Sequence, residues 1–200
     1  NLLCVGEGEA AWRLLPVVQW ADAAGLSVTL VVAAQSTRGA LPAGRLPAGV
    51  EYQLVTRDGR PDVLKQRMSI LSDLLPWAEA MCAAASLEAY GPLAEAVAGA
   101  RFTLTRGFAQ VIYPMQFLCG TGACQACVAD VVGGRRRVCL RGPVFDLAAV
   151  ESTRPDGTRE AVDAGGGRAY ALVPAYASDG SDLNAAGRRR VAGERRQAGD

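Results

Sequence analysis

Four of the six cysteines lie close together, at positions 119, 124, 127 and 139 of the 200-residue chain. In a cytosolic chain, which we expect this one to be, such clustering argues for a metal site rather than for disulfides. Histidine is absent, which excludes the commonest general base, the serine and cysteine triads, and most zinc and non-haem iron sites. We therefore expect the chemistry of this chain to depend on its cysteines.

The spacing of these cysteines is specific. Cys119, Cys124 and Cys127 follow the pattern C-x4-C-x2-C, and Cys139 comes after eleven further residues. The first three match the spacing of plant-type two-iron ferredoxins. The residues between the first two cysteines are small, and the glycines at 120 and 122 allow the positive φ angles with which a backbone can wrap an inorganic cluster.

The charge around the cysteines suits a buried anion, because residues 101–150 hold six basic and two acidic side chains, an excess of +4. These are Arg101, Arg106, Arg135, Arg136, Arg137 and Arg141 against Asp130 and Asp146. A two-iron cluster with four thiolates is negatively charged, and nearby cations raise its reduction potential. Two alternatives stay open. One is a tetrahedral structural zinc, although zinc ligands usually come as two C-x2–4-C pairs, and the other is a set of free thiols.

Five more residues near or outside this cluster need an interpretation. Cys4 and Cys82 lie in apolar, strand-like stretches, and we interpret both as buried, inert thiols.

Met115, Phe117 and Leu118 precede the first clustered cysteine. They could exclude water or form a partner surface, but we favour core packing.

Two short motifs surround the clustered cysteines: MQFLCGTGACQAC, from Met115 to Cys127, and CLRGPVF, from Cys139 to Phe145. They closely resemble the C-terminal iron–sulfur segment of the electron-transfer subunit of class 1B dihydroorotate dehydrogenase, whose pattern is C-G-x-G-x-C-x-x-C followed by C-x-x-G-P-V-F. The resemblance implies that the four cysteines are the ligands of a [2Fe–2S] cluster. The small subunits of NADPH-dependent ferredoxin reductases share much of this pattern.

Residues 1–100 are predicted to form an α/β unit. Apolar and β-branched runs predict strands at 1–5, 26–34, 50–55 and 78–84, and helical spacing of apolar residues predicts helices at 10–24, 61–75 and 87–98. Apolar strands that alternate with helices indicate a mostly parallel, nucleotide-binding-like sheet with helices on both faces. Residues 101–150 are predicted to follow as a small irregular or β cysteine-rich iron–sulfur lobe.

The first predicted strand leads into a candidate phosphate loop. Gly6-x-Gly8-x-x-Ala11 follows a strand and opens a helix, where helix-terminal amides would face a pyrophosphate. Glu7 and Glu9 oppose this interpretation, since they place two carboxylates where an anion should lie. Two hypotheses stay open: an NAD(P) site, and a retained scaffold that binds no nucleotide, which we favour.

The order of elements resembles the pyridine-nucleotide domain of the ferredoxin-reductase superfamily, to which the dehydrogenase subunit also belongs. In that superfamily, residues such as Ser36, Thr37 and Arg38 after the second strand suggest a 2′-phosphate, hence NADP rather than NAD. Its N-terminal β-barrel, which holds FAD, has no counterpart in this sequence. We therefore expect FAD only with a missing barrel domain or a partner, and we expect the chain to be a fragment, a split subunit or a relative without that domain.

Residues 151–200 are rich in Gly, Ala, Arg and Asp. They lack apolar periodicity except at 169–177, which predicts a mostly flexible tail. The formal net charge of +1 argues against a nucleic-acid partner, and no apolar run approaches the length of a bilayer span. We expect a cytoplasmic protein with neither a nucleic-acid nor a membrane partner.

The resemblance implies an oxidoreductase subunit without its own substrate site. It would relay electrons one at a time between flavins, with a flavin-dependent catalytic subunit as its partner in a hetero-oligomer. The resemblance implies that this partner oxidises dihydroorotate in pyrimidine biosynthesis. One alternative is the small subunit of a ferredoxin–NADP reductase or sulfide dehydrogenase, and another is a non-catalytic, zinc-stabilised interaction module.

Overall fold

A six-stranded sheet forms the centre of the computed structural model, which describes residues 1–57, 63–102, 105–150, 152–153 and 159–160. The eight main strands are β1 (Leu2–Glu7), β2 (Val28–Ala34), β3 (Val50–Thr56), β4 (Ala80–Ala84), β5 (Ala109–Ile112), β6 (Val128–Val131), β7 (Gly134–Arg137) and β8 (Val144–Asp146). The α-helices are α1 (Leu15–Ala23), α2 (Val63–Leu74), α3 (Leu87–Arg101) and the single-turn α4 (Val138–Arg141).

The strands of this sheet follow the order β3-β2-β1-β4-β5-β8. The first five are parallel, and β8 pairs antiparallel with β5. All residues of β2 and β4 are buried, which requires that both faces of the central strands be covered. The predicted α/β class with a mostly parallel sheet is confirmed.

The predicted elements form with small shifts at their ends. The first helical segment begins as a 3₁₀ helix, Gly8–Leu14, and continues as α1. Pro16 lies in the first turn of α1, where its missing N–H removes no helical hydrogen bond. The 3₁₀ turn lies close to β1, because Ala11 packs directly against Gly6.

The main core lies between the sheet and helices α2 and α3. Fully burying a Leu side chain contributes about 1.5–3 kcal/mol, so this core supplies much of the stability. Its largest fully buried side chains are Leu3, Leu71, Leu75, Met81, Tyr90 and Leu147.

Cys4 and Cys82 lie in this sheet and face each other in the register of β1 and β4. Both are buried. Burial raises the pKa of the Cys4 thiol well above 9.0, and it raises the pKa of Cys82 to about 11. The predicted burial of these two thiols is confirmed.

A smaller core belongs to the hairpin β6–β7 and is formed by Cys127, Ala129, Val131 and Val138. Strand β8 returns the chain from this hairpin to the main sheet. The described residues belong to one compact unit, which spans 1–170. In the part of the chain that the structure describes, every helix is too short or too polar to span a bilayer.

Two short strands, β9 (Ser152–Thr153) and β10 (Arg159–Glu160), pair antiparallel after the main sheet. The remainder of residues 151–200, including the segment at 169–177, lies outside the described residues. The flexible tail and the boundaries at 100 and 150 therefore stay predictions.

Candidate metal centre

The first two clustered cysteines, Cys119 and Cys124, lie in an exposed loop that follows strand β5. The backbone of this loop turns sharply at Gly120, Gly122 and Gln125, where φ is 67°, 81° and 57°. Residues in the left-handed region help to form concave sites where backbone N–H groups face an anion. The predicted positive φ at both glycines is confirmed, and Gln125 adds a third such residue.

The Cys119 sulfur is surrounded by hydrogen-bond donors. It accepts from the backbone N–H groups of Cys124 and Thr121, and it also interacts with the Thr121 hydroxyl and the Cys124 thiol. These hydrogen bonds lower the pKa of the Cys119 thiol from 9.0 to about 6. Because the thiolate is the form that binds metals, this sulfur is prepared for ligation at neutral pH.

A β-hairpin brings the other two cysteines together despite the eleven residues between them. Strands β6 and β7 pair antiparallel, with Val128 opposite Arg137 at the open end. One step further, the Val138 N–H donates to the Cys127 carbonyl at 2.8 Å. Since Cys139 is the next residue, the hairpin register places the third and fourth sulfurs at the same end of the lobe.

Cys127 and Cys139 differ in exposure. Cys127 is buried, and its thiol donates to the Gln116 carbonyl at 3.8 Å, whereas Cys139 is half-buried. Desolvation raises the pKa of the Cys139 thiol. The charges of Cys127 and Cys119 and a hydrogen bond with Cys127 raise it further. The Cys139 sulfur thus lies within electrostatic reach of two of the other three.

Hydrogen bonds join Cys119 with Cys124 and Cys127 with Cys139, and the charge of Cys119 also acts on the Cys139 thiol. Among the described residues, no three or more Cys, Asp or Glu side chains converge as a ready site for a single ion. A two-iron cluster takes two thiolates on each iron, whereas structural zinc needs all four around one ion. All four donors are thiols, which is the ligand set of a two-iron cluster.

Exposed apolar side chains border the cysteines, and we call them the apolar rim. Leu118 directly precedes a cysteine in the sequence, and Val128 and Leu140 each directly follow one. The exposed fractions are 42% for Phe117, 79% for Leu118, 38% for Val128 and 48% for Leu140. The preference for core packing is wrong for Phe117 and Leu118, and right for Met115, which packs against the small core.

Basic side chains continue this surface. Arg136, Arg137 and Arg141 are exposed, and Arg135 forms an ion pair with Asp130 at 3.1 Å. The cysteine-rich lobe is therefore positively charged at its surface, where the charge is available both to the cluster and to an acidic partner.

One of the predicted arginines has a structural role instead. Arg101 donates to the carbonyls of Leu75 and Ala78 at 3.2 and 2.9 Å. Its guanidinium also lies over the Phe108 ring, 4.1 Å from the centroid. Arg101 thus satisfies carbonyl groups just after helix α2.

The candidate phosphate loop also forms. Gly6 lies in β1, and a Cβ on it would be 2.6 Å from the Ala11 Cβ, so the strand and the 3₁₀ helix pack without space between them. Gly8 begins that helix with φ 51°. Ser36, Thr37 and Arg38 follow β2 at the same end of the sheet. Their binding of NADP, with Gly6 and Gly8, stays a prediction.

A cleft of ≈ 540 Å³ opens at the carboxyl ends of β1 and β4. The strand order reverses between these two strands, which is the usual ligand position in doubly wound sheets. The side chains that give the cleft its chemical character are Glu7, Glu9, Arg13, Gln35 and Ser86.

Two residues that hold Glu7 were missed by the sequence analysis. The Ser86 N–H and hydroxyl donate to Glu7 Oε2 at 2.9 and 2.8 Å, and Arg67 Nη1 lies 4.0 Å from Glu7 Oε1. A signal for Arg67 was present. It precedes Leu71 and Leu75 at four-residue spacing, so a charged side chain occupies the buried stripe of a helix.

The fold is similar to a solved structure described as that of the NADH-dependent reduced ferredoxin-NADP oxidoreductase, which was studied for flavin-based electron bifurcation. The TM-score is 0.61 at 22% identity, and the match covers 76% of this chain and 54% of that chain. This chain therefore spans about half the length of that one. The likeness defines a ferredoxin-reductase-like α/β fold.

The cysteine-rich segment matches the model of a known domain family. Residues 115–151 match the iron–sulfur cluster binding domain of dihydroorotate dehydrogenase B. The resemblance expected from the sequence is confirmed for this segment, which contains all four clustered cysteines. Among curated proteins, none matches the chain.

Proposed function

We propose that this chain is the electron-transfer subunit of an oxidoreductase complex, in which Cys119, Cys124, Cys127 and Cys139 hold a [2Fe–2S] cluster. The match of residues 115–151, which include all four cysteines, to a model of a cluster binding domain is the observation that supports the proposal most directly. When bound, such a cluster supplies one-electron transfer. The residues around it need not move a proton, which agrees with the absence of His.

The surroundings of the sulfurs favour the more negative, reduced state. The backbone N–H groups of Thr121 and Cys124 donate to Cys119, and exposed arginines make the lobe positive. Hydrogen bonds to the sulfurs and nearby cations both raise a cluster's potential. We therefore infer that this lobe accepts electrons readily from a reduced flavin.

The partner we infer is a flavin-dependent catalytic subunit that oxidises dihydroorotate, so that the complex serves pyrimidine biosynthesis in the cytoplasm. FAD would be held by a barrel domain or by a partner. The apolar rim supports docking beside the cluster, because Leu118, Val128 and Leu140 each adjoin a cysteine. An apolar centre bordered by arginines is the usual anatomy of a protein–protein interface.

The first test concerns the metal. The full chain is produced anaerobically with iron and sulfide supplied, and its metal content and visible absorption are measured. We expect iron and sulfide in equal amounts, with visible bands that bleach on reduction. A colourless protein that holds zinc would overturn the proposal and would support the zinc-stabilised interaction module.

The second test concerns the partner. The loaded chain is mixed with a catalytic subunit that dihydroorotate has reduced, or with reduced ferredoxin, and the bleaching of its visible bands is followed. Bleaching by the dihydroorotate-reduced subunit is expected. Bleaching by ferredoxin alone would reject that partner and support the small subunit of a ferredoxin–NADP reductase or sulfide dehydrogenase, an alternative that the structural likeness favours.

A further inference from the structure

The Glu7 carboxylate lies where a doubly wound sheet usually binds phosphates. Glu7 is the last residue of β1, and β1 pairs with β4 at the point where the strand order reverses. Helix α3 begins shortly after β4, with Ser86 as its N-cap residue. The N-terminus of a helix attracts anions, because its first N–H groups point outward and the helix dipole is positive there.

Donors from two helices converge on this carboxylate. Its Oε2 accepts the two hydrogen bonds of Ser86, at 2.9 and 2.8 Å, and its Oε1 lies 4.0 Å from Arg67 Nη1. Glu7 is therefore bound at the helix terminus in the manner of an anionic ligand. Its hydrogen bonds join residues that are 79 positions apart in the sequence.

Arg67 provides independent evidence for an anion site beneath the loop. Its side chain is only 4% exposed, and its Nε is buried with no hydrogen-bond partner among the described residues. A buried guanidinium needs an anion to offset its desolvation. The carboxylate of Glu7 provides that negative charge, 4.0 Å from Arg67 Nη1.

We propose that Glu7 is an internal substitute for the phosphate of a dinucleotide, and that it closes this cleft to NAD(P). A pyrophosphate at the same point would have to displace the carboxylate from Ser86 and Arg67. It would also lie in a cleft that the Glu9 carboxylate lines. Among the described residues that line this cleft, Arg13 is the one cation. The close packing of Gly6 on Ala11 then serves the fold and not a ligand.

The consequence concerns how electrons enter the chain. With the cleft closed, they arrive from a partner's flavin and not from a nicotinamide bound to this polypeptide. That consequence rests on the proposed function, whereas the closed cleft itself does not, because it depends on residues at the carboxyl ends of β1 and β4. Iron and sulfide content, measured on the same samples, reports separately on the proposed function.

The test measures binding of NADH, NADPH and inorganic pyrophosphate to the full chain by isothermal titration calorimetry. For the unmodified chain we expect no saturable binding at ligand concentrations up to about 1 mM, so that any Kd lies above this value. Glu7→Ala is expected to bind pyrophosphate at least roughly tenfold more tightly, because Ser86 and Arg67 then lack an anion. Glu9→Ala is the matched control: it removes the same charge from the same loop but leaves Glu7 on Ser86 and Arg67, so we expect a smaller gain than in Glu7→Ala.

Two results would overturn the proposal. One is saturable binding of NADH or NADPH by the unmodified chain at micromolar concentration. The other is an equal gain in Glu7→Ala and Glu9→Ala, because net charge alone would then explain it. If Glu7→Ala does not fold, Glu7→Gln removes the charge and keeps the side-chain size. A folded Glu7→Gln variant that gains no pyrophosphate binding would also contradict the proposal.

Discussion

Leu140 packs directly over Gly122. A Cβ on Gly122 would lie 2.8 Å from Leu140 Cδ1 and 2.9 Å from Cδ2, and Gly122 is buried although the residues on either side of it are exposed. Leu140 follows Cys139 in helix α4. This contact therefore connects the loop that carries Cys119 and Cys124 to the helix that carries the fourth cysteine.

Gly122→Ala tests that contact. The new Cβ would crowd Leu140 and occupy a left-handed φ of 81°, so we expect a loss of about 1–3 kcal/mol in the free energy of unfolding and incomplete cluster loading. Gly120→Ala is the control. Its φ is also positive, at 67°, but nothing lies within 4 Å of the new Cβ. Equal losses in denaturant unfolding of the two variants would show that crowding by Leu140 is not the cause.

Substitution of single cysteines distinguishes ligands from buried thiols. Cys139→Ser is expected to lose the visible absorption and most of the bound iron, because a hydroxyl is a poor ligand for this cluster. Cys82→Ala is expected to keep both, since Cys82 lies in β4, within the sheet. Full iron content in Cys139→Ser, measured beside the unmodified chain, would remove Cys139 from the ligand set.

Tyr90 connects the carboxyl ends of β4 and β5. Its hydroxyl donates to the Ile112 carbonyl at 2.5 Å and accepts from the Ala85 N–H at 3.1 Å. Tyr90→Phe leaves both buried backbone groups without this partner, and we expect it to cost about 1–3 kcal/mol of stability. Urea unfolding at pH 7 measures this loss. An unchanged midpoint and slope would mean that water replaces the hydroxyl.

The same residue makes stability depend on pH in alkaline solution. Burial raises the pKa of Tyr90 from 10.0 to about 12, so the folded protein keeps a proton that the unfolded chain releases. Stability that is present at neutral pH is therefore lost as the pH rises from about 10 to about 12. Cys82, with a pKa of about 11 instead of 9.0, adds a loss that begins earlier. Unfolding free energies of Tyr90→Phe should fall less steeply than those of the unmodified chain above pH 10.

Gly6→Ala tests the packing of the first loop. The added methyl group would lie 2.6 Å from the Ala11 Cβ and 3.0 Å from its Cα, so backbone must move, and we expect a loss of about 1–3 kcal/mol. Gly39→Ala has open space around its new Cβ and is expected to change stability by no more than about 0.5 kcal/mol. Thermal unfolding of both variants measures the difference in stability. The prediction is wrong if Gly6→Ala is as stable as Gly39→Ala.

The apolar rim is tested by Leu118→Asp. A charge at this 79% exposed position is expected to slow reduction of the loaded chain by its partner roughly tenfold, because a desolvated charge weakens docking. Phe102→Asp is the control, since Phe102 is 93% exposed and follows helix α3 at the opposite end of β5. Equal rates for the two variants, at equal iron content, would exclude the rim as the docking surface.

Much of this protein could be predicted from local patterns. The apolar runs that became β1, β2 and β4 predicted a covered parallel sheet, because strands buried on both faces carry apolar residues without alternation. The spacing of the cysteines indicated a two-iron site, because short loops leave few ways to present ligands to one cluster. Both signals lie within short stretches of chain.

The sequence by itself therefore determined the fold class, the family of the cysteine-rich segment and the set of candidate ligands. Only the tertiary structure decided that Cys127 meets Cys139 through a hairpin, that Leu118 faces solvent, and that Glu7 is held by Ser86 and Arg67. The physical reason is distance along the chain. Periodicity and spacing report local geometry, whereas contacts between remote residues depend on strand order and register, which emerge only when the whole sheet assembles.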